Sequence, residues 1–213
     1  GGGHQNILRA SPNDKEMSKI HLIRHGTTEA NKDRKYYGST DLPLANEGVD
    51  QVSELALAGI YPKADGALLY TSGLIRTEQT FFLIYGCKDH KVIPELQEYR
   101  FGDFEMKTHK QLEENPDYRA WYSDKEGLTP CPGGESSMDF RTRVKAGFAK
   151  IMEAHHKKED GNSIIVCHGG VISLIMGLCF PHDEKNIFQW QPDPGRGYSL
   201  HLIDGEPVSY DPI

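Results

Sequence analysis

Lys19-Ile20-His21-Leu22-Ile23-Arg24-His25-Gly26-Thr27-Thr28-Glu29-Ala30-Asn31 is the stretch on which the reading of this chain turns. Its apolar run reads as a buried strand, and it ends in a cation, an imidazole and a glycine. Such a strand delivers Arg24 and His25 onto a loop at its carboxyl end, where Gly26 loosens the backbone. Open α/β sheets bind ligands at that edge. Taken alone, the tripeptide is short enough that Arg24 could be a surface cation and His25 a turn residue, so the other segments decide.

Outward from this strand, the spacing of Val49, Val52, Leu55 and Ile60 predicts an amphipathic helix over residues 46–60, ended by Tyr61-Pro62. Gly66 to Tyr70 reads as a second short strand, with Thr71 or Ser72 capping a helix from Leu74 to Tyr85. Arg76 then sits in that helix's first turn. Val92-Ile93 makes a third strand. Residues 107–135 read as an insertion with a helix near Thr108 to Glu114 and another near Pro116 to Tyr122, on which Trp121 and Tyr122 either fold over a site or only cover the core. Ser136 and Asp139 form a variant capping box for a long helix with Phe140, Val144, Phe148, Ile151 and Met152 on one stripe. Asp160-Gly161-Asn162 turns the chain into a buried strand, Ser163 to Cys167, followed by His168-Gly169-Gly170 and an apolar helix to Cys179. Tyr198 to Ile203 alternates like a strand and turns at Asp204-Gly205 toward Pro207-Val208-Ser209.

Three times the chain runs from apolar strand through a polar or glycine-rich turn into a helix. The turns carry Arg24 with His25, Arg76, and His168. This alternation predicts an α/β fold of three layers, α/β/α, with a mostly parallel sheet and helices on both faces, so that the three turns meet at one edge. Phosphoryl transfer asks for such a set, because its catalysis is mainly positioning and electrostatic stabilisation of the equatorial oxygens. Two arginines can fork oxygens as lysines cannot, and Gly169-Gly170 opens a helix whose bare N–H groups lie close to His168. No metal or other cofactor is needed to bind the anion. The ordinary pKa of a histidine leaves one ring nitrogen of His25 unprotonated near pH 7, with the other free to donate to a backbone carbonyl.

Arg24-His25-Gly26…Asn31, Asp41-x-Pro43-Leu44…Gly48-x-x-Gln51, Ser72…Arg76…Gln79-Thr80, Glu98, Gly133-Gly134-Glu135-Ser136 and His168-Gly169-Gly170 together resemble, in order and spacing, the histidine phosphatase superfamily, the phosphoglycerate-mutase-like enzymes. The match spans most of residues 19–180. The resemblance implies that His25 is the nucleophile of a phosphohistidine intermediate. It also implies that Glu98 is the proton donor, ahead of Glu105, and that Arg24, Asn31, Arg76 and His168 surround the phosphoryl group. Thr28, also expected to support the loop from behind, Ser39 and Gly169 join Asn31 as expected phosphate- or substrate-binding positions, and Glu135 with Ser136 as structural capping. Met106 stands where family members often have glycine and Phe104 where tryptophan is frequent; Arg100 is an unusual neighbour for Glu98, placed to meet a second anionic group or to tune the acid.

Within the family, the chain looks most like the α-ribazole-phosphate and broad-specificity phosphatases, so the expected reaction is hydrolysis of a small phosphomonoester. A phosphoglycerate mutase and a non-catalytic phospho-ligand or partner-binding module on the same fold are the alternatives. The 213 residues, 37% hydrophobic and 26% charged, suit one domain over 17–213, with 1–16 expected to be a disordered leader foreign to it. A net charge of −7 gives no basic field for nucleic acid, no apolar run is long enough to span a membrane, and four scattered cysteines read as reduced core thiols of a cytoplasmic protein. The partner is then a small phosphorylated metabolite, with a homodimer left open.

Overall fold

The computed structural model describes residues 17–158 and 161–213; the expectation for residues 1–16, and Asp160 of the turn, lie outside the described residues. The elements run β1 (Met17–Arg24), α1 (Glu29–Lys32), α2 (Asn46–Leu57), β2 (Leu68–Thr71), α3 (Ile75–Tyr85), β3 (Lys91–Val92), α4 (His109–Leu112), α5 (Pro116–Ser123), α6 (Ser137–His156), β4 (Asn162–Cys167), α7 (Gly169–Cys179), α8 (Ile187–Trp190), β5 (Gly197–Ile203) and β6 (Glu206–Pro212). They form one sheet in the order β3-β2-β4-β1-β5-β6. The first four are mutually parallel, and β5 and β6 close the edge as an antiparallel hairpin.

Alternation along β1 and β4 builds the layers. Ile20, Leu22, Ile165 and Cys167 pack with Val144, Val171 and Ile175 of α6 and α7, while Ile23, Ile164 and Val166 pack with Val52 and Phe81 of α2 and α3. Helices therefore cover both faces, and the central strands, buried on both sides, are nearly continuous in apolar residues. Each of these side chains is at most 1% exposed. At about 1.5–3 kcal/mol per buried Val, Leu or Ile, this double-sided packing is what holds the strand ends in register.

Several boundaries differ from the expected ones for local reasons. Helix α2 stops at Leu57 because Gly59 turns left-handed at φ 74°. The N-cap of α3 is Leu74, with no side-chain cap bond, because the hydroxyl of Ser72 lies 2.7 Å from His168 Nε2 and reaches Leu74 N only at 3.4 Å. The Ser136–Asp139 capping box of α6 forms in both directions. Met106, the residue standing where glycine is frequent, has φ 64°; its side chain costs about 1–2 kcal/mol in that region, which glycine would not.

Candidate active site

Strand order makes the site. Arg24 pairs with Cys167 and Thr71 with Val166, and His25 N donates to Cys167 O at 3.1 Å, so β1, β2 and β4 release their next residues side by side. His25 is 3% exposed, and its Nδ1–H donates to Gly26 O at 2.7 Å, leaving the lone pair on Nε2. The His168 ring meets it edge-on, centroids 5.3 Å apart at 62°. Thr77 gives its hydroxyl proton to Leu74 O at 2.7 Å and lies 3.3 Å from the Ser72 hydroxyl, which meets His168 Nε2 at 2.7 Å and so fixes the ring on that side, leaving Nδ1 facing away from Ser72. That Nδ1 is buried and has no protein partner.

Burial, then the neighbouring Arg76 and Arg24 guanidinium groups, holds His25 well below its usual pKa; burial, Arg76 and His25 do the same to His168. Both rings are neutral at pH 7. Burial also brings His21, bonded to Ser199 Oγ, down to about 4. The unfolded chain takes up these protons near 6.5 and the folded one does not, so stability falls as pH drops below about 6.5. The expected loss is about 2 kcal/mol per such histidine between pH 7 and pH 5. Denaturant melts at the two pH values check this, and equal stability at both would contradict it.

The two arginines are partly committed. Arg24 Nη1 donates to Pro192 O (2.8 Å), and Arg76 Nη1 and Nη2 donate to Thr40 O (2.9 Å) and Gly38 O (2.7 Å). Each therefore spends part of its fork on backbone, where the sequence suggested a fork free for oxygens. The Nε–H of each is buried without a protein partner. Glu98 spans to the start of α7: its Oε2 accepts from Gly170 N at 2.9 Å and its Oε1 from Tyr99 N at 3.0 Å. A Cβ on residue 170 would lie 2.5 Å from Glu98 Oε1, so only glycine admits the carboxylate there.

Arg24, His25, Asn31, Arg76, Glu98 and Gly170 line one cavity of about 770 Å³. Three expected binding positions do not. Thr28 is fully buried beneath the loop as the N-cap of α1, giving its hydroxyl to Asn31 Oδ1 and Tyr37. Ser39 is exposed and bonds Glu105. Gly169 lies against Arg24, and its neighbour Gly170 takes the place on the wall. His168 is buried behind His25 and is not part of the wall. Asn31 Oδ1 already accepts from Thr28 and Tyr37, so its amide N–H groups are the ones left for a ligand.

Glu105 has another job than proton transfer. Its carboxylate accepts from Gly38 N, Ser39 Oγ, Thr40 N, Thr40 Oγ1 and Phe101 N, which ties the 38–40 loop to the 98–105 segment. Arg100 is exposed and its side chain stays outside the cavity, so it does not meet a second anionic group there. Glu135 does not cap; it pairs with Arg143 in a nearly buried fork, side chains 10% and 13% exposed.

Beyond the polar groups the cavity has an aromatic side. Tyr36, Tyr99, Phe101, Trp121 and Phe140 form its walls, braced by Trp121 Nε1–H donating to Tyr99 OH (2.9 Å) and by Tyr99 stacked on Phe101 at 4.8 Å. Tyr122, Met138, Ile187 and Phe188 surround its mouth and are exposed. Of these the sequence pointed only to Trp121 and Tyr122; the doublet Tyr36-Tyr37 and the Tyr99-x-Phe101 pair beside Glu98 were the available signal.

A neutral imidazole with a free nitrogen, one buried and one half-buried arginine and a carboxylate at a helix N-terminus are the groups that phosphoryl transfer asks for. The chain belongs to the histidine phosphatase superfamily (branch 1), whose family model matches residues 20–210. It is 32% identical over 183 residues to the adenosylcobalamin/α-ribazole phosphatase of Escherichia coli K12, an alignment covering 83% of this chain and 86% of that protein. The crystal structure of the α-ribazole phosphatase of Shigella flexneri superposes with a TM-score of 0.76 at 29% identity, covering 89% of this chain and 93% of the other. The phosphoglycerate mutase of Thermus thermophilus superposes with a TM-score of 0.64 at 27% identity, covering 85% and 92%. The chain is a phosphatase of this superfamily.

Proposed function

We propose that this enzyme hydrolyses phosphomonoesters whose leaving group carries a bulky ring, with the α-ribazole phosphate of its relatives as the named candidate. The His25 Nε2 lone pair attacks phosphorus, and the P–O bond to the leaving group breaks in line. The Nε–H groups of Arg24 and Arg76, the Asn31 amide and the start of α7 meet the equatorial oxygens, with His168 packed behind His25. Glu98 gives a proton to the departing alkoxide, then takes one from the water that attacks the phosphohistidine, returning inorganic phosphate and free His25.

The observation that carries the substrate class is the aromatic wall. A cavity of about 770 Å³ is far larger than a phosphoryl group needs, and it continues from Glu98 between Tyr99, Phe101 and Trp121. Burying about 200 Å² of flat ring there contributes roughly 5 kcal/mol. The structural likeness to a phosphoglycerate mutase favours the second reading, but the wall offers a small carboxylated substrate mainly apolar surface, with its lysines and Arg141 accompanied by Asp124 and Glu126. The four cysteines are free, which supports a cytoplasmic setting. A net charge of −7 supports a metabolite over nucleic acid.

Phosphate release from α-ribazole 5′-phosphate, p-nitrophenyl phosphate and 3-phosphoglycerate, in EDTA, tests the reading. The expected result is full activity in EDTA, with kcat/KM for the ring-bearing ester at least about 100-fold above that for phosphoglycerate, less than the area estimate alone would allow. Isomerisation of phosphoglycerates without release would make the enzyme a mutase, and silence in both assays a binding module.

A further inference from the structure

Arg143 has no contact with the cavity, yet every N–H of its guanidinium is used. Nε donates to Glu135 Oε2 (3.2 Å) and Nη2 to Glu135 Oε1 (2.5 Å), while Nη1 donates to Glu95 O (2.9 Å) and Gln97 O (2.7 Å) and Nη2 also to Glu98 O (3.2 Å). Glu135 Oε1 in turn accepts from Arg100 N at 3.1 Å. One ion pair thus grips the chain on both sides of Glu98, at the carbonyls of residues 95, 97 and 98 and at the amide of residue 100. One turn further along α6, a Cβ at Gly147 would lie 2.8 Å from Glu95 Cβ, so that helix is shaped to receive this segment.

We propose that Arg143, held by Glu135, is the positioning residue that sets the Glu98 carboxylate for proton transfer to the leaving group. A guanidinium is needed for this. Five coplanar donors fill two carboxylate oxygens and three carbonyls at once, whereas lysine's three donors on a flexible stem match neither the number nor the plane. The backbone grip fixes the Cα of residue 98, and the Glu98 carboxylate then reaches Gly170 N across the mouth of the phosphoryl site. Misplacing a general acid by about 1 Å is enough to cost of the order of 10²-fold.

The proposal rests on the reading of Glu98 as the acid, and the test separates the two. kcat/KM is measured for p-nitrophenyl phosphate, whose leaving group needs no proton, and for an alkyl phosphomonoester, whose leaving group does. Glu98→Gln is expected to lower the alkyl reaction at least about tenfold more than the p-nitrophenyl one. Arg143→Lys is expected to show the same selective loss, and to add less than about threefold when placed on top of Glu98→Gln. Glu135→Gln, with its weakened fork, provides the same comparison if Arg143→Lys does not fold.

Equal losses on both esters in the clamp variants, with a selective loss in Glu98→Gln, would overturn the clamp and leave the acid standing. The same outcome follows if Arg143→Lys and Glu98→Gln multiply. No selectivity in Glu98→Gln itself would overturn the acid, and the clamp with it.

Discussion

His25→Ala lowers kcat by at least about 10⁴-fold on every substrate and abolishes acid-labile phosphate on the protein. Removing a nucleophile leaves only the electrostatic cradle, and in other enzymes that residue of catalysis is a factor of about 10³–10⁴ over water out of a much larger total. The ring lies 3% exposed at the head of the cavity, with Nδ1–H committed to Gly26 O, so alanine removes the reacting nitrogen and one hydrogen bond. The variant should therefore fold, and should still bind inorganic phosphate. Because burial, and then Arg76 and Arg24, keep the imidazole neutral, the wild-type acid limb of kcat/KM due to His25 lies well below pH 6.5. A variant that retained more than about 1% of activity would show that His25 is not the nucleophile.

Arg76→Ala is expected to lower kcat/KM about 10³-fold and also to lower the Tm, a combination that His25→Ala should not produce. The side chain is fully buried, it supports the Gly38 and Thr40 carbonyls, and its cation lies 4.7 Å over the Tyr37 ring. Losing it leaves the buried Gly38 carbonyl without a donor at about 1–3 kcal/mol, while Thr40 O keeps the Leu42 N–H, and takes a cation from the transition state. Arg76→Lys restores the charge and one carbonyl contact at best, so it recovers part of the stability and little of the rate. Retention of wild-type kcat/KM in Arg76→Lys would show that the guanidinium does not hold the phosphoryl group.

The fold was legible where local pattern and global packing agree. Ile20, Leu22 and Ile23 of β1 and Ile164 to Cys167 of β4 are apolar because these strands are buried on both faces, and they run straight into Arg24 with His25 and into His168. Arg76 comes later, in the first turn of the helix after β2, and the family resemblance was needed to join these positions into one candidate site. What failed to show was set by which side of a loop a residue takes. Thr28, Asn31 and Ser39 are similar polar loop residues in sequence. In the structure Tyr37 and Glu105 draw Thr28 under the loop and Ser39 outward, and only Asn31 meets the cavity. Arg143 reads as one of many helix-surface cations until the 95–100 segment folds across it. The aromatic wall comes from separate loops and helices with no common period, so nothing in the spacing brings Tyr36, Tyr99, Trp121 and Phe140 together.

The strand order has a consequence for assembly. β4 lies between β1 and β2, so the strands that deliver His25 and Arg76 never pair with each other. A chain emerging during synthesis can build α2 and α3 early, yet it has no place for a phosphoryl group until residues 162–170 arrive and slot between strands made long before. Partly folded forms are therefore blind to the substrate, and an anion held jointly by Arg24, Arg76 and the start of α7 bridges segments distant in sequence. By mass action such a ligand stabilises only chains in which β4 has entered between β1 and β2, which makes anion binding a report on that step of sheet assembly.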